Sequence, residues 1–256
     1  MTRVLLFATL IAVLGIPRAP AQSLVPRTGP GDSLVARSRA QGAGDLMDLA
    51  IRSALEDAWV HFEIEGAGWW LDVGKGEGID RVTIDVPWPR LSEYLKNGEK
   101  RASIYHVHPV AGELVEAARR YRPMTHGTES EYRLAILERT PGLWARPPGR
   151  TDFMGAALLA RQAAEHGIAL SVHVAVPEGI FTYGGNSSGD LQRAWTYLDP
   201  EGYVRPGDRE RLVAALAALG LSLEFDERRR LADSRDFRDA LAEAIRGEAP
   251  VWRRAP

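Results

Sequence analysis

The spacing of apolar residues changes repeatedly along this chain, and that change constrains the fold more than any other feature. In some segments apolar and polar residues alternate, which is the period of a strand with one buried face. In others apolar residues recur every three or four positions, which is the period of an amphipathic helix. Predicted strands are 60–65, 69–73, 82–86, 102–107, 170–176, 180–183 and 221–225, with a Gly-rich turn at 74–78; predicted helices are 45–59, 91–95, 112–121, 129–138, 153–165, 191–198, 209–219 and 234–246. This order predicts an α/β or α+β fold, in which a mixed β-sheet is flanked by helices.

The charge balance and the absence of cysteine limit the classes of function. The 256 residues include 32 Lys and Arg and 34 Asp and Glu, which gives a net charge of -2. A strongly basic surface that binds nucleic acid is therefore not expected. Because the chain has no cysteine, it cannot form disulfides, use a Cys nucleophile or bind a metal through thiolates. Any metal site must be built from His, Asp and Glu.

The N-terminal segment 1–21 has the pattern of a secretory signal peptide. Arg3 gives a positive start, residues 4–16 form an apolar run, and residues 19–21 (Ala-Pro-Ala) offer a small-x-small cleavage site. The alternative is a membrane anchor, but the run is too short to span a bilayer comfortably. We expect a periplasmic or secreted protein with no membrane span after cleavage, in which residues 22–44 form a flexible leader.

The sharpest local motif is a pair of histidines at the end of the predicted strand 102–107. His106 and His108 are separated by one residue and are followed by Pro109. Since residues i and i+2 of a strand point to the same face, both imidazoles project together, and neutral imidazoles are good Zn²⁺ ligands. The alternative is a chance pair in the core or on the surface. His173, on another predicted strand, is expected to be a partnered residue of the sheet.

A carboxylate at the start of the predicted helix 153–165 completes the candidate metal site. Asp152 lies where backbone N–H groups and the helix dipole favour a negative charge. The alternative is that Asp152, or Thr151, only caps the helix. A carboxylate held there is also rigid enough to be a third ligand, and two His plus one carboxylate leave one position of a tetrahedral zinc open. The sequence thus predicts a catalytic Zn²⁺ site formed by His106, His108 and Asp152.

Such a site needs a nearby base, and two carboxylates on an earlier strand are the candidates. Glu63 and Glu65 lie on the predicted strand 60–65, on the face opposite to the apolar positions. Either could take a proton from the attacking water and pass it to a leaving amine. The alternative is that both are solvent-facing carboxylates, which is common for Glu.

The order of these motifs resembles that of the JAMM (JAB1/MPN/Mov34) metallopeptidases. That family's pattern is an upstream Glu, then H-x-H-P on a strand, then P-S-x-x-D leading into a helix, then a strand. The chain matches it with Glu63 or Glu65, residues 106–109, residues 148–152 and the strand that follows the helix. The resemblance favours Glu65 as the base, because the apolar strand 69–73 then follows it as in the family.

The resemblance implies a zinc-dependent peptidase or isopeptidase with a JAMM-like core at 45–185. Its substrate would be a peptide or protein, with cell-envelope peptides as one candidate. Residues 110–147 would be a helical insertion at the rim of the site, and residues 186–256 a helical C-terminal extension.

The chain departs from the family pattern at one functional position. Gly149 replaces a Ser whose hydroxyl, in the family, helps to stabilise the oxyanion, and losing one such donor can cost roughly 10²–10³ in rate. The alternative function is therefore a catalytically degenerate binding or assembly module that keeps the fold and can retain the metal. A third alternative is a metal hydrolase that carries H-x-H on an unrelated scaffold.

Overall fold

The structure, a computed structural model, describes residues 34–53, 56–78, 81–110, 147–185, 196, 208–230, 235 and 237–240. Several predicted segments lie wholly or mostly outside these ranges, namely the signal peptide, the first part of the leader, both insertion helices and the helices 191–198 and 234–246. Within the described ranges, no helix is long and apolar enough to cross a membrane.

A seven-stranded mixed sheet forms the centre of the fold. The strands are β1 (Leu34–Ala36), β2 (Ala58–Ile64), β3 (Ala67–Asp72), β4 (Gly74–Gly78), β5 (Arg81–Ile84), β6 (Arg101–Val107), β7 (Ala169–Val176), β8 (Gly179–Gly185) and β9 (Leu221–Glu227). The order in the sheet is β1-β3-β2-β6-β7-β8-β9, and β4 and β5 form a separate two-stranded sheet. The β6–β7 pair is parallel, and the other neighbours in the large sheet are antiparallel.

Helices cover both faces of the sheet, which confirms the predicted fold class. They are α1 (Arg39–Arg52), α2 (Trp88–Tyr94), α3 (Arg150–Glu165) and α4 (Arg209–Ala217). α1 buries Leu46 with Trp59 and Tyr105 on one face. The other three helices pack on the opposite face, as the burial of Leu91, Leu159 and Leu216 in two clusters there shows.

Strand alternation assigns each residue of the central strands to one face. Side chains of a strand point alternately up and down, and even-numbered residues of β2, β6 and β7 are buried with α2, α3 and α4. Odd-numbered residues of the same strands are buried with α1. We call these the α3 face and the α1 face.

The N-terminal boundaries differ from the sequence predictions. Residues 34–36, predicted to belong to a flexible leader, form β1, because this short apolar stretch pairs with β3 at the sheet edge. α1 begins at Arg39 rather than at residue 45, since the Ser38 side chain accepts a hydrogen bond from the Gln41 N–H and caps the helix there. α1 ends at Arg52 rather than at residue 59, because Trp59 pairs with Tyr105 of β6 and belongs to β2.

One other segment and one domain assignment also differ from the predictions. The predicted Gly-rich turn at 74–78 is strand β4, which pairs antiparallel with β5. The predicted strand 221–225 is confirmed as β9, but it joins the large sheet beside β8 and is not part of a separate helical extension. Leu223 of β9 is buried with Leu212 and Leu216 of α4, so this part of the extension contributes to the core.

Candidate metal centre

The centre of the sheet positions the two predicted histidine ligands. His106 lies on β6 between Ala58 of β2 and Val174 of β7. His108 follows the end of β6, and its backbone N–H donates to the carbonyl of Ala175 at 3.0 Å. Both rings are buried, with residue exposures of 2% and 4%. The even numbering of both residues places them on the α3 face.

The first turn of α3 brings a carboxylate to this pair. Asp152 Oδ1 lies 3.5 Å from His106 Nε2, and Asp152 Oδ2 lies 3.5 Å from His108 Nε2. The two Nε2 atoms are 3.1 Å apart. One donor atom from each of the three side chains lies within 4.8 Å of the others. The structure therefore brings together His106, His108 and Asp152, which are 46 residues apart at the extremes.

Asp152 is held in place by the helix start. Its Oδ2 accepts a hydrogen bond from the Gly149 N–H at 2.5 Å, which fixes the carboxylate over the imidazoles. Burial acts to raise the pKa of Asp152, but hydrogen bonds and charge from His106 and His108 outweigh it and hold that pKa well below the usual range. The carboxylate is therefore ionised, and it caps α3 and faces the histidines at the same time.

The donor set fits a divalent metal ion. Two Nε2 lone pairs that face each other at 3.1 Å repel unless a proton or a cation lies between them. With Zn–N bonds of about 2.0–2.1 Å in a tetrahedron, two ligand nitrogens are about 3.3 Å apart. The observed nitrogen and oxygen separations of 3.1 and 3.5 Å are close to that value. Two imidazoles and one carboxylate are ligands that Zn²⁺ accepts.

A buried tyrosine contacts the outer nitrogen of one histidine. Tyr183 of β8 places its hydroxyl 3.4 Å from His106 Nδ1, and the two rings meet edge to face. Burial, followed by the charges of Asp152 and Glu56, raises the pKa of Tyr183 well above 10. The phenol is therefore neutral, and it can accept from Nδ1–H while Nε2 faces the cluster, an arrangement that orients metal-binding histidines.

The strand register places neither predicted base beside the histidines. Ala58 pairs with His106, whereas Glu63 lies five residues further along β2, opposite Gly68. At about 3.3 Å per residue that separation is about 17 Å. Glu63 is odd-numbered and so belongs to the α1 face, and Glu65 lies in the turn after β2 with a φ of 51°.

A different carboxylate, Glu56, lies at the correct end of β2. It precedes Ala58 by two residues, so the strand's alternation continues it onto the α3 face, next to the residue that pairs with His106. Glu56 is 6% exposed, and its charge contributes to the raised pKa of Tyr183. Its neighbour Asp57 accepts the Val107 N–H through its backbone carbonyl, which fixes this connection against the end of β6.

Glu56 was not among the predicted site residues because the first helix was predicted to continue to residue 59. Within a helix, the alternation that links Glu56 to Ala58 and Val60 does not exist. The sequence signal was present, since Ala58, Val60, Phe62 and Ile64 are apolar at every second position and Glu56 continues that series.

Comparisons with known proteins give no family assignment. No protein-family model matches the chain, and neither a curated protein nor a solved structure is similar to it. The function must therefore be inferred from the geometry of the site.

Proposed function

We propose that the chain is a zinc-dependent hydrolase that cleaves peptide or isopeptide bonds. The observation that carries the proposal is the convergence of His106, His108 and Asp152 on one sheet face, with Glu56 buried two residues before Ala58, the pairing partner of His106. Buried ionisable groups are costly to place in a core unless they bind a ligand or each other. Two buried histidines and a partly buried aspartate with metal-ligand chemistry, together with a further buried carboxylate, are typical of a catalytic centre.

Each residue has a distinct role in this proposal. A bound divalent metal supplies Lewis acidity, which polarises a carbonyl and makes water a competent nucleophile near neutral pH. His106 and His108 offer Nε2 to the ion, and Asp152, fixed by the Gly149 N–H, offers a carboxylate oxygen. Glu56 accepts the proton of the attacking water and delivers it to the leaving amine. Tyr183 holds the His106 ring through Nδ1.

The choice of peptide or isopeptide bonds rests on the order of motifs. The H-x-H-P strand and the Asp at the following helix start resemble the JAMM pattern, and Glu56 supplies an upstream Glu from the same strand region. If the predicted signal peptide acts, the substrate would be met in the periplasm or outside the cell, where cell-envelope peptides are candidates.

A test of the proposal compares two glutamate variants of the full chain. The substrates are peptide and isopeptide libraries, and the protein is treated with chelator and then reloaded with Zn²⁺. We expect turnover that chelation removes and zinc restores. Glu56→Gln should lower kcat by at least about 10²-fold, the lower range for loss of a general base, and should keep its zinc. Glu63→Gln, a carboxylate loss on the same strand, should leave kcat unchanged.

The result that overturns the proposal is turnover that survives in the zinc-free protein or in Glu56→Gln. Zinc binding without turnover of any library member would instead support the second candidate, a non-catalytic binding module. One observation favours that candidate: Gly149 carries no hydroxyl next to Asp152, where the JAMM pattern has one.

A further inference from the structure

The α1 face of the sheet carries a second cluster of polar side chains, on the opposite side from the metal centre. Tyr105 and His173 are neighbours on β6 and β7, and their rings stack with centroids 4.4 Å apart. In the next same-face row of those strands, Ser103 and Ser171 are paired. Elsewhere this face is buried by apolar packing against α1. These two rows of polar side chains therefore interrupt an otherwise apolar surface.

Hydrogen bonds link the cluster into one directed chain. His173 Nδ1 lies 2.9 Å from Thr182 Oγ1, and His173 Nε2 lies 2.9 Å from Ser171 Oγ. Ser171 Oγ is in turn 2.8 Å from Ser103 Oγ. Burial, followed by the charge of Arg39, lowers the pKa of His173 to about 3, so the ring is neutral. A neutral imidazole has one donor and one acceptor nitrogen.

Arg39 decides the direction of the chain. Its Nη2 lies 3.3 Å from His173 Nε2, and because a guanidinium only donates, Nε2 is the acceptor. Nδ1–H therefore donates to Thr182, Arg39 and the Ser171 hydroxyl share the single lone pair of Nε2, and the Ser103 hydroxyl donates either to Ser171 or, in its place, to a ligand. The sequence of donors ends at Ser103, which is 8% exposed and lines a cleft.

The guanidinium of Arg39 is positioned by neutral partners only. Its Nε donates to the Tyr105 hydroxyl at 2.7 Å, and its remaining contact is the imidazole of His173. Within the described part of the chain, no carboxylate forms an ion pair with Arg39. The charge of Arg39 also contributes to the lowered pKa of His61 and of His173. A fixed cation without a counter-charge favours an anion beside it.

A cleft of about 720 Å³ opens onto this cluster. Its lining includes Arg39, which is an exposed residue, together with His61, Ser103 and Ser171. His61 is 4% exposed, and its Nε2 has no hydrogen-bond partner among the described residues. Of the other cations in the lining, Lys96 pairs with Glu93, and Arg101 pairs with Glu99. Arg39 is therefore the cation of the described lining that has no carboxylate partner.

We propose that this cleft binds a small molecule through an oxyanion group, a carboxylate or a phosphate, at Arg39 and Ser103. The guanidinium retains N–H groups that Tyr105 and His173 do not use, and these can form charge-assisted hydrogen bonds to the oxyanion. Glu63 and Glu65, which also line the cleft, disfavour a second anionic group there. The ligand therefore places its anionic end at Arg39 and a neutral or cationic end toward these two carboxylates.

The test is calorimetric titration of the zinc-free full chain with inorganic phosphate and, separately, with acetate. We expect saturable binding of one ion per chain, and the tighter of the two ions distinguishes a phosphoryl ligand from a carboxylate ligand. Arg39→Gln and Ser103→Ala should each weaken that binding, by at least tenfold for Arg39→Gln. His108→Ala should leave it unchanged, which separates this site from the metal centre.

A matched control uses an arginine with the same local contacts on the surface. Arg90 also donates from Nε to a tyrosine hydroxyl, Tyr94 Oη, at 2.7 Å, and its guanidinium also lies over that ring. Arg90→Gln should keep the affinity of the parent chain.

Absence of saturable binding of both ions would overturn the proposal, as would equal affinity in Arg39→Gln and Arg90→Gln. If Arg39→Gln does not fold, Ser103→Ala decides, with unchanged affinity as the contradicting result.

Discussion

Asp152 serves two purposes with one side chain. Its Oδ2 accepts the Gly149 N–H that begins α3, and the same carboxylate faces the Nε2 atoms of His106 and His108. Capping and metal binding, treated as alternatives from the sequence, are therefore compatible in one geometry. The cap fixes the carboxylate, and fixed ligands lose less conformational entropy when an ion binds.

Gly149, the N-cap residue of α3, has room for a side chain with a hydroxyl group. A Cβ atom built on Gly149 would meet only Asp152 Oδ2, at 3.6 Å, and the backbone there is extended, with φ -87° and ψ -176°. We predict that Gly149→Ser folds, keeps zinc and raises kcat, by up to about 10²-fold, the lower range for one oxyanion donor. Gly155→Ser, further along α3 where a Cβ meets nothing within 4 Å, is the control. A Gly149→Ser chain with unchanged kcat would contradict the prediction.

At the scale of elements, α1 depends on close packing against Trp70 of β3. A Cβ on Gly42 would lie 2.2 Å from the Trp70 ring, whereas a Cβ on Gly44 of the same helix would meet nothing within 4 Å. We predict that Gly42→Ala lowers the free energy of unfolding by about 1–3 kcal/mol, the usual cost of overpacking. Gly44→Ala should raise it by about 0.5–1 kcal/mol through helix propensity alone. Urea unfolding of both variants measures the difference, and equal effects would contradict this packing.

The elements that the sequence predicted well are those whose pattern is local. β6 and β7 lie within one residue of the predicted strands 102–107 and 170–176, and α3 begins two residues before Asp152 and ends before Gly167, so both histidines and the carboxylate could be found. The start of α1 could not, because its first turn is Arg-Ala-Gln-Gly and its decisive cap at Ser38 precedes any apolar periodicity. The end of the same helix could not be predicted either, since the start of β2 depends on its pairing with β6. For that reason Glu56 was not recognised as a site residue.

The pairing of distant elements explains the rest of what the sequence left open. Glu63 and Glu65 satisfy the motif spacing, but only the antiparallel register of β2 against β6 shows that they lie at the other end of the strand. In the α1-face cluster, Arg39 contacts Tyr105 and His173, which lie 66 and 134 positions further along the chain. The residue pattern of one segment cannot predict contacts over such distances in sequence. His173, expected to be a partnered residue of the sheet, is confirmed as one.

At the scale of the whole molecule, the sheet separates two polar clusters by one layer of backbone. The α3 face holds the candidate metal centre and the α1 face holds the Arg39 cluster, and both interrupt otherwise apolar packing. Buried neutral histidines on the α1 face also connect overall stability to pH. Burial, with a contribution from Arg39, lowers the pKa of His61 to about 4, and the pKa of His173 is about 3.

The sign of this pH dependence follows from proton uptake. The ordinary pKa of His is 6.5. Below that pH the unfolded chain binds protons at His61 and His173, whereas in the folded chain both rings stay neutral. The free energy of unfolding therefore decreases as the pH falls toward the folded-state pKa values of about 4 and 3. Asp57 acts in the opposite sense, because burial raises its pKa to about 7 and its ionisation disfavours the folded state as the pH rises.

We predict that His61→Phe, a ring that fits against Trp70, reduces the loss of stability between pH 6.5 and 4. Thermal unfolding across that range measures it, and an unchanged slope would contradict the placement of His61 in the core.

The central claim is that His106, His108 and Asp152 form one metal site. Calorimetric titration of Zn²⁺ into chelator-treated full chain, with circular dichroism to confirm folding, tests it most directly. The account predicts one zinc per chain. It also predicts affinity at least about 10²-fold weaker in His106→Ala and Asp152→Ala, since a lost ligand costs at least as much as a lost supporting contact, and unchanged affinity in Glu63→Ala. No zinc binding by the folded parent chain, or the same affinity in Asp152→Ala as in the parent, would contradict it.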